Sequence, residues 1–399
     1  MAGTPKLVIT NARIFDGNDV LPVTYSVVIS NGTITSISET PPTVDEAGPN
    51  TIVIDGTGCS LLPGLIDSHV HVDTPEQMDA LAAHGVTAAC DMACFPASKL
   101  QYIKSQSADG ARPRPLLLSS GIPATSPGST HSRLPGMPDE AMLETGSSGD
   151  ATVTVVAEKF VRDRIEAGSD YIKIIADVPG PTQEMIDALV VAAHGHGRKT
   201  VIHAAATEPF RMGVVSGGDC MTHVPLDAPL DDAWAAQLKA RDAVVVPTLT
   251  MMESFSAGAA KRVASTGSRE GADVADAHQH GHSRKAIDFK HSLESVRVLR
   301  HAGVMVLAGT DANPLPMMAV EYGASMVREL ELLILAGMEP IDALRSATSL
   351  PAEYWGLQGR GRIVVGMRAD VLLVDGEPWD DIAALRKRKL VLIGGRTVS

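Results

Sequence analysis

The sequence predicts an α/β protein: a (β/α)8 TIM barrel carrying a small β-sandwich domain built from both chain termini. Three observations predict it. From about residue 63 to 357, short apolar runs alternate with helical stretches eight times in order, the pattern of a parallel sheet with crossover helices. Before and after that region the chain reads as short β segments punctuated by turns. Polar residues able to hold a metal fall at the carboxyl ends of the apolar runs, the face on which this architecture builds its sites. The expected division is 1–60 with 358–399 for the discontinuous sandwich and 61–357 for the barrel.

The first β segments cover 6–11, 26–30, 33–37 and 51–54, with Asn31-Gly32 as a hairpin signal. The same style returns at 362–365, 369–374 and 389–393, so both ends are expected in one module with the central domain inserted between them. In the centre, strand 1 spans 65–72, a helix over 76–83 stops at His84-Gly85, and strand 2 spans 86–92. A helix over 96–105 leads to strand 3 at 114–119. The helix 152–167 precedes strand 4 at 170–176, and the helix 183–193 precedes strand 5 at 200–204. Strands 6 and 7, at 220–224 and 243–248, flank a helix over 231–240; a helix over 285–301 precedes strand 8 at 304–309. Two connections exceed plain turns: 121–150, rich in Pro, Gly and Ser, and 251–283, which carries Gly, Ser and His. Long loops on this face are expected to serve as lids or binding walls.

Bulk properties remove several function classes. The net charge of -13, with no basic run, argues against a nucleic-acid partner. No apolar run approaches the length of a membrane-spanning helix, and the first ten residues run into a strand rather than a signal-peptide core. The four cysteines, Cys59, Cys90, Cys94 and Cys220, are scattered, which suits reduced thiols in a cytoplasmic protein and not a disulfide framework.

His69 and His71 lie two apart at the end of strand 1, so an extended backbone turns both imidazoles to one face. Alone the pair reads equally as half a metal site or an exposed polar face. His203 ends strand 5, His223 ends strand 6, and Asp311 follows strand 8. Lys173 lies inside the apolar run Tyr-Ile-Lys-Ile-Ile of strand 4, flanked by Ile172 and Ile174, which leaves the lysine facing the barrel axis. A single His or Asp at such a position reads equally as a hydrogen-bonded core residue or a ligand; six such residues at the carboxyl ends of five strands read as one metal centre. His84, His194 and His301 stand beside glycines where helices stop, and read as helix ends. His278, His280 and His282 read as a polar loop.

The pieces Pro-Gly-Leu-Ile-Asp-Ser-His-Val-His, Tyr-Ile-Lys-Ile, Val-Ile-His-Ala, Thr-His-Val-Pro and Ala-Gly-Thr-Asp-Ala together resemble the amidohydrolase superfamily of metal-dependent hydrolases. The segments starting at Arg328, Ala343 and Gly366 match as well. The likeness is greatest to the branch holding imidazolonepropionase-like, prolidase-like and ochratoxinase-like proteins. It implies a binuclear site of two divalent ions, most often Zn2+, with His69, His71 and Asp311 on one metal and His203 and His223 on the other. Lys173, N6-carboxylated to a carbamate, would bridge them. It further implies cleavage of an amide C–N bond of a small molecule by a metal-bridging hydroxide, with Asp311 as general acid/base. A lone ammonium would repel two cations, so the lysine must be neutral or converted to an anion.

In the loop after strand 3, Thr130-His131-Ser132-Arg133 offers His131 to a substrate carbonyl, as catalytic and substrate-binding residue, and Arg133 to a substrate carboxylate. Both also read as solvated loop residues. Tyr171 and Asn313 lie near the ligands and receive no role. A lactonase, or a cyclic-amide hydrolase or deaminase of the same superfamily, is the alternative, with Lys173 arguing against a mononuclear deaminase; a non-catalytic scaffold is the alternative of another class. The reading expects a small-molecule substrate, no membrane partner and a homo-oligomer.

Overall fold

The computed structural model describes residues 6–42, 51–108, 111–144, 152–266, 287–315 and 318–398. The chain begins with β1 (Leu7–Phe15), β2 (Val20–Ser30), β3 (Thr33–Ser38), β4 (Ile52–Asp55) and β5 (Cys59–Pro63). β2 and β3 form an antiparallel hairpin around Asn31 and Gly32, whose φ values of 51° and 76° are the left-handed pair that a tight hairpin turn demands. β1 pairs antiparallel with β2 and parallel with β4 and β5.

Eight parallel strands follow. β6 (Leu65–Val70), β7 (Val86–Asp91) and β8 (Leu116–Ser119) make one sheet. β9 (Ile172–Ile175), β10 (Thr200–His203), β11 (Cys220–Thr222), β12 (Val244–Val246) and β13 (Met305–Val306) make a second, in sequence order. Parallel bridges join the sheets at both edges: Ala124 to Ile174 beyond β8, and Val70 to Ala312 beyond β13. The helices are α1 (Pro75–Ala83), α2 (Ala97–Ala108), α3 (Val153–Glu166), α4 (Gln183–Gly195), α5 (Thr207–Ser216), α6 (Asp232–Ala240), α7 (Leu249–Thr266), α8 (Phe289–His301), α9 (Ser325–Leu335), α10 (Pro340–Ser346) and α11 (Ser349–Tyr354). Each of the eight expected parallel strands has its counterpart, and the fold is α/β.

The chain returns to the first sheet through β14 (Val371–Asp375), β15 (Arg388–Ile393) and β16 (Arg396–Thr397). β14 runs antiparallel to β5, from Val371 opposite Pro63 to Asp375 opposite Cys59, so both ends of the chain share one eight-stranded sheet. One apolar cluster, including Ile9, Ile14, Ile29, Ile34, Leu61, Leu373 and Leu392, draws a side chain from nearly every strand of it.

Side-chain alternation sorts the parallel strands into two layers. Ile172, Ile174, Ile202, Met221 and Val245 pack with helix residues such as Ile186 and Leu189. Tyr171, Val201, Cys220, Val244 and Val246 pack instead against Cys90 of the other sheet, so the two sheets face each other across an apolar layer. Lys173 alternates with Ile172 and Ile174 and belongs to the side of Tyr171. All four cysteines are buried free thiols. No helix among the described residues is long and apolar enough to cross a membrane.

Four local expectations need correction. Residues 362–365 form no strand: Ile363 is buried in the terminal cluster, and its backbone N–H donates to Asp16 O at 2.9 Å, in a turn-like path. The connection 251–283 is not a plain loop, since α7 occupies its first half. α5, whose sequence Thr-Glu-Pro-Phe-Arg-Met-Gly hides its apolar face behind Pro and Gly, had no counterpart in the expected elements, and neither did α9 to α11. Strands 6 and 7 stop at Thr222 and Val246 instead of 224 and 248, because His223 (φ 70°) and Thr248 (φ 49°) leave the extended region. His278, His280 and His282 lie outside the described residues.

α7 owes its start to a buried carboxylate. Glu329 of α9, fully buried, accepts from Leu249 N at 3.0 Å, Thr250 N at 2.7 Å and Thr250 Oγ1 at 2.8 Å. These are the first-turn N–H groups that a helix leaves without internal partners, at the end where its dipole favours negative charge. Burial nevertheless pushes the Glu329 carboxyl up from 4.5 to about 8. The folded state therefore keeps a proton that the unfolded chain releases near 4.5, and stability falls as pH rises from 4.5 to about 8. Denaturant titrations across that window are expected to show a downward slope that Glu329→Gln flattens. Parallel slopes in the two proteins would show that Glu329 ionises normally.

Candidate metal centre

The last residues of the parallel strands converge on Asp311. His71 Nε2 lies 3.0 Å and His69 Nε2 3.4 Å from Asp311 Oδ1, and His223 Nδ1 lies 3.9 Å from Oδ2. The backbone makes this possible. Asp311 N donates to His69 O at 2.8 Å, His71 N to Ala312 O at 2.9 Å, and His223 N to Val246 O at 3.0 Å. His69 sits within β6 and His71 just past its end, yet both rings reach the same carboxylate, their centroids 5.5 Å apart. Asp311 (φ 56°), His223 and Thr248 all adopt left-handed backbone. Such residues cost about 1–3 kcal/mol each and gather where geometry is over-determined.

A second group adjoins the first. The His203 ring lies 4.4 Å from that of His223 on one side and 4.3 Å from that of His131 on the other. His131 Nδ1 lies 2.7 Å from Asp177 Oδ2. His69, His223 and Asp311 form one set of three ligand atoms within 4.8 Å of one another, and His131, Asp177 and His203 form another. Lys173, only 4% exposed, donates from Nζ to Thr222 Oγ1 at 2.9 Å.

The donors suit divalent cations. His69 Nδ1 is buried with no hydrogen-bond partner among the described residues. Burial, with Lys173 and His223 nearby, holds His69 well below the usual imidazole range, and burial takes His223 down to about 3, so both offer the neutral form that binds metal. Burial works to raise Asp311, but the hydrogen bond and charge of His71 outweigh it and keep it an anion. Burial lowers Lys173 to about 8, so about a tenth of its amine is unprotonated at pH 7, far more than for an exposed lysine. Two sets of donors, three imidazoles and one carboxylate meeting around Asp311, match a hard-to-borderline cation.

With that geometry stands a match to the model of the Amidohydrolase family over residues 60–398. The chain belongs to this family. The amidohydrolases characteristically bind divalent metals. An imidazolonepropionase of Rubrobacter xylanophilus is 39% identical over 93 residues, 22% of this chain and 20% of that protein. The chain thus matches about a fifth of the length of such curated relatives. Among solved structures, a Xaa-Pro dipeptidase with bound methionine superposes with a TM-score of 0.79 at 21% identity, covering 98% of this chain and 99% of the other. A. niger ochratoxinase gives 0.74 at 19% identity, covering 98% and 95%. At those identities the structures speak for the fold. The three relatives bear the names of the branch that the motifs resemble.

Of the residues singled out from sequence, His69, His71, His223 and Asp311 meet directly. His203 and His131 adjoin them, and Lys173 is buried on the same side of β9 as Tyr171. Arg133 is different: it shares the short 3-10 turn 131–133 with His131, but its side chain is exposed. Sequence reasoning missed Asp177, because Ala-Asp-Val-Pro-Gly reads as an ordinary turn after strand 4. It also missed Asp67, fully buried, whose Oδ1 accepts from His69 N at 3.1 Å and Thr310 N at 3.0 Å and whose Oδ2 accepts from Thr310 Oγ1 at 2.7 Å. A carboxylate inside an apolar strand was the available signal. Tyr171 donates to Asp91 O at 2.6 Å, and Asn313 Nδ2 to Asp311 O at 2.7 Å, so both buttress the site.

Gly309 completes the packing. A Cβ there would stand 2.5 Å from Val246 Cγ1, 2.9 Å from His69 N and 3.0 Å from His69 Cβ. Gly309→Ala is expected to fold, lose about 1–3 kcal/mol to overpacking, and carry less divalent metal than wild type because His69 must shift. Gly195→Ala, where a Cβ meets open space, serves as control. Equal metal content in the two variants, by elemental analysis, would show that Gly309 does not position His69.

Proposed function

We propose that the protein hydrolyses an amide C–N bond of a small molecule at a centre of two divalent ions, most simply Zn2+. The observation that carries this reading is the pair of donor sets brought together where the His203 and His223 rings meet edge to face, 4.4 Å apart. His69, His71 and Asp311 would hold one ion and His203 and His223 the other, with Lys173 as a carbamate shared by both. The likeness to a Xaa-Pro dipeptidase, whose name denotes cleavage of a peptide bond, supports an amide over a lactone. When bound, the ions polarise the scissile carbonyl and make water acidic enough to attack near neutral pH.

The chain's own groups do the rest. Lys173, with its amine partly neutral, can add its nitrogen to the carbon of CO2 and release one proton, giving a carbamate anion that offsets the charge of two cations. Asp311, an anion held against His71, can accept the proton of the attacking water and return it to the departing nitrogen. His131, its Nδ1 held 2.7 Å from Asp177 Oδ2, would turn Nε2 toward the substrate carbonyl. Arg133, exposed on the same turn, meets a carboxylate on the substrate's outer end.

The wider reading goes with it. The bridges at both sheet edges support closure of the eight strands into a (β/α)8 barrel, and the shared apolar cluster of the terminal strands supports a β-sandwich over 1–60 and 358–399. The barrel then takes 61–357, with β5 at the junction. Buried free thiols fit a cytoplasmic enzyme, and a homo-oligomer remains part of the proposal.

Chelation followed by dialysis is expected to abolish turnover of N-acyl amino acids and Xaa-Pro dipeptides, and added Zn2+ to restore it. Full turnover by protein shown to be metal-free would end the hydrolase reading, and turnover of lactones alone would replace the amide by an ester.

Lys173→Ala is expected to reduce bound metal from about two equivalents to one or fewer and to lower turnover by several orders of magnitude. A small carboxylate in the buffer should restore part of it. As a mere core lysine, Lys173 could be replaced with little change in metal content. Two tightly held ions and normal turnover in the alanine variant would defeat the carbamate assignment.

A further inference from the structure

A second charged site lies at the opposite end of the parallel strands. Residues 112–117 run into the amino end of β8 and residues 167–168 precede β9, whereas the metal-binding groups follow the carboxyl ends. Here α2, the entry to β8 and the terminal sheet enclose a cleft of about 880 Å3. Six of its side chains are cationic: Lys104, Arg112, Arg114, Arg360, Arg368 and Arg396; among the described residues no carboxylate lines it. The chain as a whole carries -13, so this density of positive charge is local and against the bulk.

The carboxylates behind these cations are outnumbered. Asp79 takes both Arg112, at 3.2 Å, and Arg114, at 2.7 Å. Asp370 takes both Arg360 and, at 2.9 Å, Arg368. Asp170 takes Lys104 at 2.7 Å, and Arg396 donates to Ala111 O at 2.8 Å. Among the described residues, three carboxylates thus pair with five of these cations. The Arg360 side chain is only 12% exposed, and burial together with Arg368 beside it brings its pKa down to about 10, as expected of crowded guanidiniums. Gly394 makes room for the crowding. A Cβ there would lie 2.5 Å from Arg368 Nη2, and the Gly394 N–H donates to Asp370 Oδ1 at 2.6 Å.

The chemistry of such a cleft is specific. Guanidinium forks match the oxygens of phosphate in pairs, and concave walls of one sign concentrate an oppositely charged ligand. One phosphate group carries about -1.5 to -2 at neutral pH, so a diphosphate sets about three to four negative charges against the six cations of the cleft. The volume lies within the ~300–1,000 Å3 usual for small-molecule sites. Leu117 and Ile393 add an apolar floor. We propose that this cleft binds a diphosphate-bearing small molecule, which thereby staples the terminal sheet, through Arg360, Arg368 and Arg396, to the strand-and-helix layer, through Lys104, Arg112 and Arg114.

Isothermal titration of the metal-loaded protein at low salt tests this with ADP and inorganic pyrophosphate as probes and citrate as a polyanion without phosphate. One diphosphate site is expected, weakened about a hundredfold or more in Arg112→Gln/Arg368→Gln, which removes two charge-assisted contacts. Arg112 is 70% exposed and Asp370 keeps Arg360, so the double variant retains its internal bracing; the exposed Arg112→Gln alone is the second variant. ADP binding more tightly than pyrophosphate would assign an organic diphosphate, and the reverse an inorganic one. Either probe should raise the thermal midpoint of wild type and not of the double variant. Absence of binding at millimolar probe, citrate binding as tightly as pyrophosphate, or affinity unchanged in both arginine variants would overturn the proposal. So would binding that vanishes in Asp311→Asn, which places the anion among the metal-binding groups.

Discussion

Everything at the carboxyl ends of the strands depends on the short backbone seam between β6 and the segment after β13. Asp311 N to His69 O, His71 N to Ala312 O and Ser68 N to Ala308 O bind together chain segments some 240 residues apart in sequence. That seam puts one carboxylate beside two imidazoles. Asp67 locks it from below by holding both the His69 and Thr310 backbones, and Gly309 lets the two strands approach. Loosening the seam would separate the acid from its histidines without touching any of them.

The energetics of the site run against the interior that contains it. Buried imidazoles are kept neutral, a buried amine is brought toward neutrality, and one buried acid is kept ionised by its neighbours. Each state costs desolvation. Together they describe a set of donors poised for a cation. The left-handed residues His223, Thr248 and Asp311 point the same way. His223 Nδ1 is fixed by Thr248 Oγ1 at 2.6 Å, and Thr248 immediately precedes the helix that Glu329 caps. A carboxylate on α9 is thus connected, through the start of α7, to the ring that adjoins both donor sets.

Much of this was legible in the sequence because side chains able to hold a metal break an otherwise apolar pattern. Lys173 stands out between isoleucines, and His203, His223 and Asp311 each stand at the end of a largely apolar strand segment. Asp67 broke the same pattern in Leu-Ile-Asp-Ser-His but was hidden by the histidines that follow it. Asp177 sits where turn-forming residues are ordinary, and only tertiary structure brings it to His131. Glu329 lies on the buried face of an amphipathic helix, with Met326, Leu330 and Leu333, where an acid signals a distant donor that sequence cannot name. Strand ends were overextended for a related reason: His223, Thr248 and Asp311 leave the extended region through positive φ angles, which composition does not reveal.

The four cysteines have a practical consequence. Each is enclosed, and burial raises every one of their thiols, Cys94 and Cys220 to about 12. Alkylating and spin-labelling reagents act on the thiolate, so the native fold is silent toward them. A single cysteine introduced on an exposed helix face would then be the one fast-reacting position in the folded chain. Distances from that label to a bound paramagnetic ion become measurable without first stripping the protein of its own sulfur.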